Sequence, residues 1–454
     1  MTGTRLSPLD AAFLDIESAS SPMHVGWAAR FGAPESGAPP SFEDLRSHIT
    51  ARLDRAPRYR QRLLAVPLGL ADPVWVDDEN FDISRHVRRA PGTDLGELAD
   101  EVMSHPLAAD RPLWELWICE HPDGGGLGVV GRAHHCLVDG LGAVELMAML
   151  LDAEPDPDGD GDADAWAPGT APGRIELMLD ALGDQIGHSV RLATAPLGWL
   201  RAPRRILDLP GQAWGLARMA AHTTLPPARG SRLNGDMPSA RHLACCSRPL
   251  RDLKVIKEHF GTTINDVVLS AGAGAVRSLL LEHGDEPDGL KAMVPVSVRA
   301  PEEQWGNRIA FLFLGLPCEE PDAVMRLLRT HNAMSERKQT REAESSDVAL
   351  GALGRAPGPV RRAASRALAS PRLSNLTISN IPGPTAPLYL MGCEAERAYP
   401  IVPLTAGHGV SIGMTTVKGQ ACFGIHAQAS LAADADRLAR GIDEAIDELL
   451  ARCG

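Results

Sequence analysis

Lysine is nearly missing from this chain: only five of its 45 basic residues are lysines, the rest arginines. We read that scarcity as a bias of the coding genome rather than as chemistry. Positive charge is not in excess either. The 45 Lys+Arg face 58 Asp+Glu, for a net charge of −13. Generic nucleic-acid binding needs a basic surface, and this balance argues against it. No Cys-x-x-C pair occurs among the eight cysteines. They sit in apolar stretches, where a free thiol behaves as a small hydrophobe. The expectation is a reduced, cytoplasmic protein. Long hydrophobic runs are absent too. The longest lies near Ile309–Leu316, far short of the ~20 residues that span a membrane. Residues 1–13 have no basic stretch followed by an apolar core, so they do not read as a signal peptide. A soluble or peripherally attached protein is expected.

What is present is globular. Hydrophobic residues make up 44% of 454, and that length suggests two or three domains. Helix starts are written in capping residues: Ser7-Pro8-Leu9-Asp10, Ser41-Phe42-Glu43-Asp44 and Thr263-Ile264-Asn265-Asp266. Further helices are expected from Asp94 to about His105, over Leu250–Phe260 with a stop at Gly261, and from Asp434 to Cys453. Strands are expected at Val74–Val76, Leu113–Cys119, Leu127–Ala133, Ala292–Val298, Ile309–Leu316 and Ser374–Asn380. Val410–Val417 and Gln420–Ala427 read as a hairpin around Lys418-Gly419. Strands and helices alternate in two halves of similar size, an α/β pattern without a short-period repeat. An Asp/Gly/Pro-rich stretch from Asp152 to Gly173 reads as a solvated linker. The expected units are an N-terminal domain over 1–173, a helical connector over 174–235 and a C-terminal domain over 236–454. The connector carries apolar residues with several arginines. Its first reading is a crossover between the halves; its second is contact with a membrane or lipid droplet. Its prolines argue against one long interfacial helix.

Chemistry concentrates at His134-His135-Cys136-Leu137-Val138-Asp139-Gly140, expected at a strand-to-helix turn. Adjacent side chains on extended backbone point to opposite sides, so one histidine can face a cavity while the other packs inside. A neutral imidazole is matched to remove a proton from an alcohol near pH 7. Asp139 can hold an arginine or the turn, or serve only as a helix N-cap; Gly140 lets the backbone turn sharply. A bare His-His pair is more often structural than catalytic. A metal is not expected, because H-x₃-H and E-x-x-H spacings are missing. No second histidine pattern marks Cys136 as a nucleophile.

His134–Gly140 fits an H-H-x-x-x-D-G signature, and other elements follow in order: Leu6–Phe13, Pro22–Gly26, Arg111-Pro112-Leu113-Trp114, Asn265-Asp266-Val267-Val268-Leu269, Pro295–Arg299, Gly306-Asn307 and Ser379–Pro384. Over nearly its whole length the chain resembles the bacterial wax ester synthase/diacylglycerol acyltransferase family of the CoA-dependent acyltransferases. The resemblance implies two chloramphenicol-acetyltransferase-like domains forming a pseudo-dimer around a central tunnel. It implies His135 as general base, with His134 and Asp139 in support. Asn265, beside Asp266, would orient substrate or stabilise an oxyanion, with helix-start packing as the rival reading. Pro112, Leu113 and Trp114 would shape an acyl pocket or form core. Asn380 and Gly383 would set a loop near the donor site or simply end a strand. The implied substrates are acyl-CoA, as co-substrate without any bound cofactor, and a lipid alcohol, either diacylglycerol or a long-chain fatty alcohol. Long acyl chains give a motive for peripheral attachment at the inner membrane face or at lipid droplets. The alternatives are another hydroxyl acceptor, such as a polyketide or glycolipid, or a lipid-binding protein of the same fold without turnover.

Overall fold

The structure is a computed structural model that describes residues 3–35, 38–120, 126–137, 150–155, 166–183, 224–235, 238–297, 309–340, 358–453 and the single positions 346, 349, 351, 353 and 356. Val298, Arg299, Gly306, Asn307, Asp139, Gly140 and most of the expected connector lie outside the described residues.

The first half opens with β1 (Thr4–Arg5) and α1 (Pro8–Ile16), capped by Ser7, whose hydroxyl accepts the Asp10 N–H. β2 (His24–Phe31), α2 (Phe42–Arg52), β3 (Gln61–Leu64), β4 (Val74–Asp77) and β5 (Val87–Arg89) follow. α2 carries the expected Ser41/Asp44 capping box. α3 (Leu95–Ser104) starts at Asp94, and β6 (Trp114–Glu120) and β7 (Leu127–His134) complete this stretch. All eight residues of β7 are buried, as befits a strand flanked on both edges.

The second half contains β8 (Arg241–Pro249), α4 (Leu250–Phe260), α5 (Ile264–Glu282), β9 (Lys291–Ser297), β10 (Ile309–Gly315), α6 (Ala323–Gln339), α7 (Gly358–Leu368), β11 (Leu376–Asn380), β12 (Tyr389–Leu390), β13 (Cys393–Ile401), β14 (Val410–Val417), β15 (Gln420–Gln428) and α8 (Ala432–Leu450). α4 ends at Gly261 with φ 65°, and α5 begins with the Thr263/Asp266 capping box. α5 is the one described helix long and apolar enough to cross a membrane, but it is packed inside the second core with α8.

Two six-stranded sheets result, ordered β12-β13-β2-β7-β6-β5 and β10-β9-β11-β14-β15-β8, beside a small β1-β4-β3 sheet. Their composition departs from the expected units: residues 389–401, assigned to 236–454, build two strands of the first sheet through antiparallel pairing of β13 with β2. After β13 the chain returns across β14 and β15. There Gly424 lies so close that a Cβ would come within 2.2 Å of the Pro400 carbonyl oxygen. Ser411 Oγ donates to the Val402 carbonyl, and so does His426 Nδ1, each at 2.8 Å.

The expected linker is anchored at particular points. Asp152 is buried, ion-paired with Arg52 and bridged through its backbone to Tyr389. Arg60 covers the Trp166 ring, and the Gly169 N–H donates to Asp77. These contacts tie down the described ends, Asp152 and Trp166–Gly169, while residues 153–155 and 167–170 are exposed.

α3 joins the halves at an edge. The Leu243 N–H of β8 donates to Asp100 Oδ1 at 2.7 Å, and the Arg241 N–H to Ser104 Oγ at 2.8 Å. Side chains of one half thus satisfy the free backbone edge of the other half's sheet, which would otherwise be open to pairing.

Candidate functional site

The two histidines sit where β7 ends. His134 is its last residue, and His135 opens the following turn. In register, His134 lies opposite His24 of β2, and their rings meet edge to face at 6.1 Å. The Cys136 N–H donates to His134 Nδ1 at 3.1 Å, with Cys136 Sγ 2.8 Å away. An Nδ1 that accepts leaves the proton of a neutral ring on Nε2. That nitrogen faces the Glu17 carboxylate at 3.3 Å. His134 is therefore a buried anchor held through Nδ1, while its Nε2 lies near Glu17 without a hydrogen bond.

His135 is different. Its backbone N–H donates to the Met23 carbonyl at 2.8 Å, fixing the turn against the start of β2. Its half-buried ring lies flat on Phe13, with centroids 3.7 Å apart and an interplanar angle of 18°. Nδ1 is buried and has no hydrogen-bond partner in the protein. Burial, helped by neighbouring His134, pushes its pKa down to about 4. The result is an imidazole that is neutral across the physiological range. Cys136 is buried and its thiol is pushed well up, mainly by desolvation, which keeps it protonated and poorly nucleophilic.

The other residues singled out in the sequence divide. Leu113 packs with Leu6, Ala11, Trp75 and Cys136, directly behind the histidine turn, and its carbonyl accepts the His134 N–H. Trp114 belongs to the core of the first half: it is fully buried, stacks on His86 and donates its indole N–H to the Tyr59 carbonyl. Pro112 is buried just before it. In the second half, Asn265 is half-buried in the first turn of α5. The Asp266 carboxylate accepts from the Thr263 N–H and hydroxyl and pairs with His331 of α6 at 2.8 Å. Those contacts make it a cap and a brace between two helices. Asn380 ends β11, half-buried, and Gly383 lies against the β14 backbone at Thr416. Among the described residues, no group of three or more His, Cys, Asp or Glu is arranged to hold a metal ion.

Phe13, Glu17 and the Met23 carbonyl were not singled out as site residues in the sequence. Phe13 precedes His135 by more than a hundred positions, and no local spacing connects them. The only signal was that Phe13 closes the Leu6–Phe13 element.

Two family models match the chain: the wax ester synthase/diacylglycerol acyltransferase catalytic domain over residues 6–268, and the WS/DGAT C-terminal domain over residues 305–450. A putative diacylglycerol O-acyltransferase of Mycobacterium tuberculosis is 33% identical, covering 98% of this chain and 90% of the relative. A probable diacylglycerol O-acyltransferase of the same species is 31% identical over 98% of this chain and 96% of its own. Among solved structures, the wax ester synthase/diacylglycerol acyltransferase from Marinobacter aquaeolei VT8 superposes with a TM-score of 0.67 at 26% identity, covering 99% of this chain and all of that one. The TRI3 trichothecene 15-O-acetyltransferase from Fusarium sporotrichioides, at 12% identity and a TM-score of 0.61 over 98% and 94% of the two chains, shares the fold.

Proposed function

The chain belongs to the wax ester synthase/diacylglycerol acyltransferase family, and from that membership we propose that His135 is the base with which it acylates diacylglycerol. It is an acyltransferase that uses acyl-CoA. In the proposed step, the acceptor hydroxyl gives its proton to His135 as its oxygen bonds to the thioester carbonyl carbon. The tetrahedral intermediate then expels CoA thiolate, which takes the proton back from the imidazolium. Ester and CoASH are the products, and the ring returns to its starting state. Asn265, half-buried at the start of α5, is proposed as a donor toward substrate or oxyanion; a preorganised donor of that kind is worth ~10²–10³ in rate. A long-chain alcohol in the same position would give a wax ester.

The observation that carries this reading is the state of His135: neutral, held by its backbone and its stack on Phe13, with a ring nitrogen that no protein group occupies. The test measures thiol release from palmitoyl-CoA, with dioleoylglycerol or hexadecanol supplied in separate assays and the labelled ester identified. Acceptor-dependent release that disappears in His135→Ala supports the base. Full activity in that variant removes it. A folded, lipid-presented protein that shows no acceptor-dependent release points to another hydroxyl acceptor or to lipid binding without turnover.

Attachment to a lipid surface is part of the same proposal. Helical residues 174–183 bury Leu177 against Val74 and Val76 while Ile175, Leu179 and Leu182 stay exposed. Leu68, in the connection between β3 and β4, is 85% exposed. Apolar side chains presented this way suit the surface on which diacylglycerol and its product reside. Co-flotation with dioleoylglycerol-containing vesicles should weaken in Leu68→Asp; unchanged flotation would count against this face.

A further inference from the structure

α1 has two working sides. Phe13 lies in α1 and Glu17 is its C-cap, whose N–H donates to the Phe13 carbonyl; both meet the histidines. Phe13 stacks on His135, and the Glu17 carboxylate lies 3.3 Å from His134 Nε2. Asp15 falls between them on the opposite side. It is buried, and Arg361 of α7 donates Nε–H to it at 2.7 Å. The same guanidinium makes a two-pronged contact with Asp72, in the loop before β4, at 2.8 and 2.6 Å. Arg362 Nε reaches the second Asp15 oxygen at 3.3 Å, and Arg366 Nε donates to the Asp15 main-chain carbonyl at 3.2 Å. Arg361 itself is 5% exposed.

We propose that Arg361 is a positioning residue for acyl transfer: through Asp15 and Asp72 it clamps α1 between the second half and the end of β7, and so holds Phe13 against His135. The proposal rests on the reading of His135 as base.

The physical case has three parts. First, a planar guanidinium satisfied by two carboxylates from separate segments fixes direction as well as distance, which a lysine cannot do. Second, removing one partner of a buried pair leaves an uncompensated charge, so the cluster has one low-energy arrangement rather than many. Third, α1 is short, and its other face is the one that meets the histidines, so a tilt of the helix moves the stack directly. Burial alone would lower the Arg361 pKa; the hydrogen bonds it donates to Asp72 and Asp15 outweigh that and raise the pKa overall, so the charge is permanent. The clamp brings a residue of α7, from the second half of the chain, to bear on a histidine turn built by the first.

The experiment compares Arg361→Met, Arg361→Lys and Asp72→Asn with wild type in the full chain. Steady-state rates with palmitoyl-CoA and dioleoylglycerol give kcat and KM. Diethyl pyrocarbonate labelling, read peptide by peptide, gives the reactivity of His135 with His105 as an exposed internal reference. The expected result for Arg361→Met is a kcat lower by roughly 10- to 100-fold, the scale of a misplaced group, with KM for palmitoyl-CoA little changed. His135 should label several-fold faster, and the acid limb of the kcat/KM profile, which reports the free protein, should move to higher pH as the ring is rehydrated. Arg361→Lys should recover only part of the loss, and Asp72→Asn should fall between the variants.

A folded Arg361→Met with unchanged kcat, acid limb and His135 labelling overturns the proposal. So does a loss of kcat in Asp72→Asn that matches only its loss of folded protein, which decides the matter if Arg361→Met does not fold. If His135→Ala keeps full activity, the base reading fails instead; labelling of His135 then still shows whether the clamp holds the ring.

Discussion

The Cys136 main-chain N–H donates to Nδ1 of His134 at 3.1 Å, and this bond assigns the two adjacent histidines different tasks. His134 closes the turn from within through Nδ1, whereas Nδ1 of His135 has no partner in the protein and its ring lies on Phe13. Loss of the His134 ring would orphan a buried N–H, at about 1–3 kcal/mol, and open a space beside His24. His134→Ala is therefore expected to lower both the melting temperature and kcat. His134→Asn, which can keep an acceptor near the Nδ1 position, should lose less of each. Thermal unfolding and initial rates on the same preparations check this. Equal losses in the two variants would show that the bond does not matter.

A second expectation concerns acid. His426 on β15 is buried, gives its Nδ1–H to Val402, and has its pKa pushed to about 4, by desolvation first and then by Arg241 and His242. His24 is lowered for the same first reason, with Arg132, His134, Arg241 and His426 adding to it. A histidine kept neutral in the fold but free to protonate when unfolded stabilises the protein above pH 6.5. That contribution is lost as pH falls from 6.5 toward 4. For His426 the full amount is on the order of 3 kcal/mol. Urea unfolding at pH 7.5, 6 and 5 should show the decline, and His426→Gln should make it shallower. A decline of unchanged steepness in that variant would assign it to other groups.

Much of this arrangement was written locally in the sequence. Ser41 with Asp44, Thr263 with Asp266, Gly261 and the Lys418-Gly419 turn all mark element ends where the structure has them, because a cap or a tight turn needs only a few neighbouring residues. The histidine turn was legible for the same reason. What escaped depends on partners distant in the chain. β13 carries Glu394, Glu396 and Arg397, and is a strand because β2 lies beside it. β8 reads poorly as a strand on composition and is completed by β15 on one edge and α3 on the other. Asp15 and Arg361 are 346 positions apart, and nothing near either of them announces the other. Trp114 shows the converse limit: its tripeptide suggested a pocket as readily as a core, and only packing against Tyr59 and His86 places it in the core.

His242 answers pH in the opposite direction from His426. Its Nδ1 is 2.8 Å from Asp100 of α3 and its Nε2 is 3.3 Å from Asp436 of α8, so the ring spans the seam between the halves. Burial by itself would lower its pKa, but the Asp100 hydrogen bond and the two carboxylates win and raise it. A group whose pKa is raised on folding contributes fully below its unfolded value near 6.5, and the contribution fades as pH rises through the folded value. His242→Gln should therefore cost stability at pH 6 and much less at pH 8.5, by urea unfolding. An equal cost at both would mean that the charged form is not what the carboxylates hold.

Gly383 separates a packing role from a chemical one. Its φ is not in the left-handed region, so backbone freedom is not what requires glycine. A Cβ there would fall 1.8 Å from the Thr416 carbonyl oxygen and within 2.8 Å of the Thr416 nitrogen. Those are main-chain atoms of β14, the strand beside β11, and they cannot swing away as a side chain would. Gly383→Ala must therefore push the segment after Asn380 off the sheet, and overpacking of this kind costs about 1–3 kcal/mol or more. The expected outcome is a lower melting temperature, with activity lost in step with it. Asn380→Ala should be milder, because that residue is half-buried and ends its strand. His135→Ala should show the reverse pattern, with activity lost far out of proportion to any fall in melting temperature. If Gly383→Ala instead loses activity at an unaltered melting temperature, the loop acts on a substrate directly, and close packing on Thr416 is not the reason for the glycine.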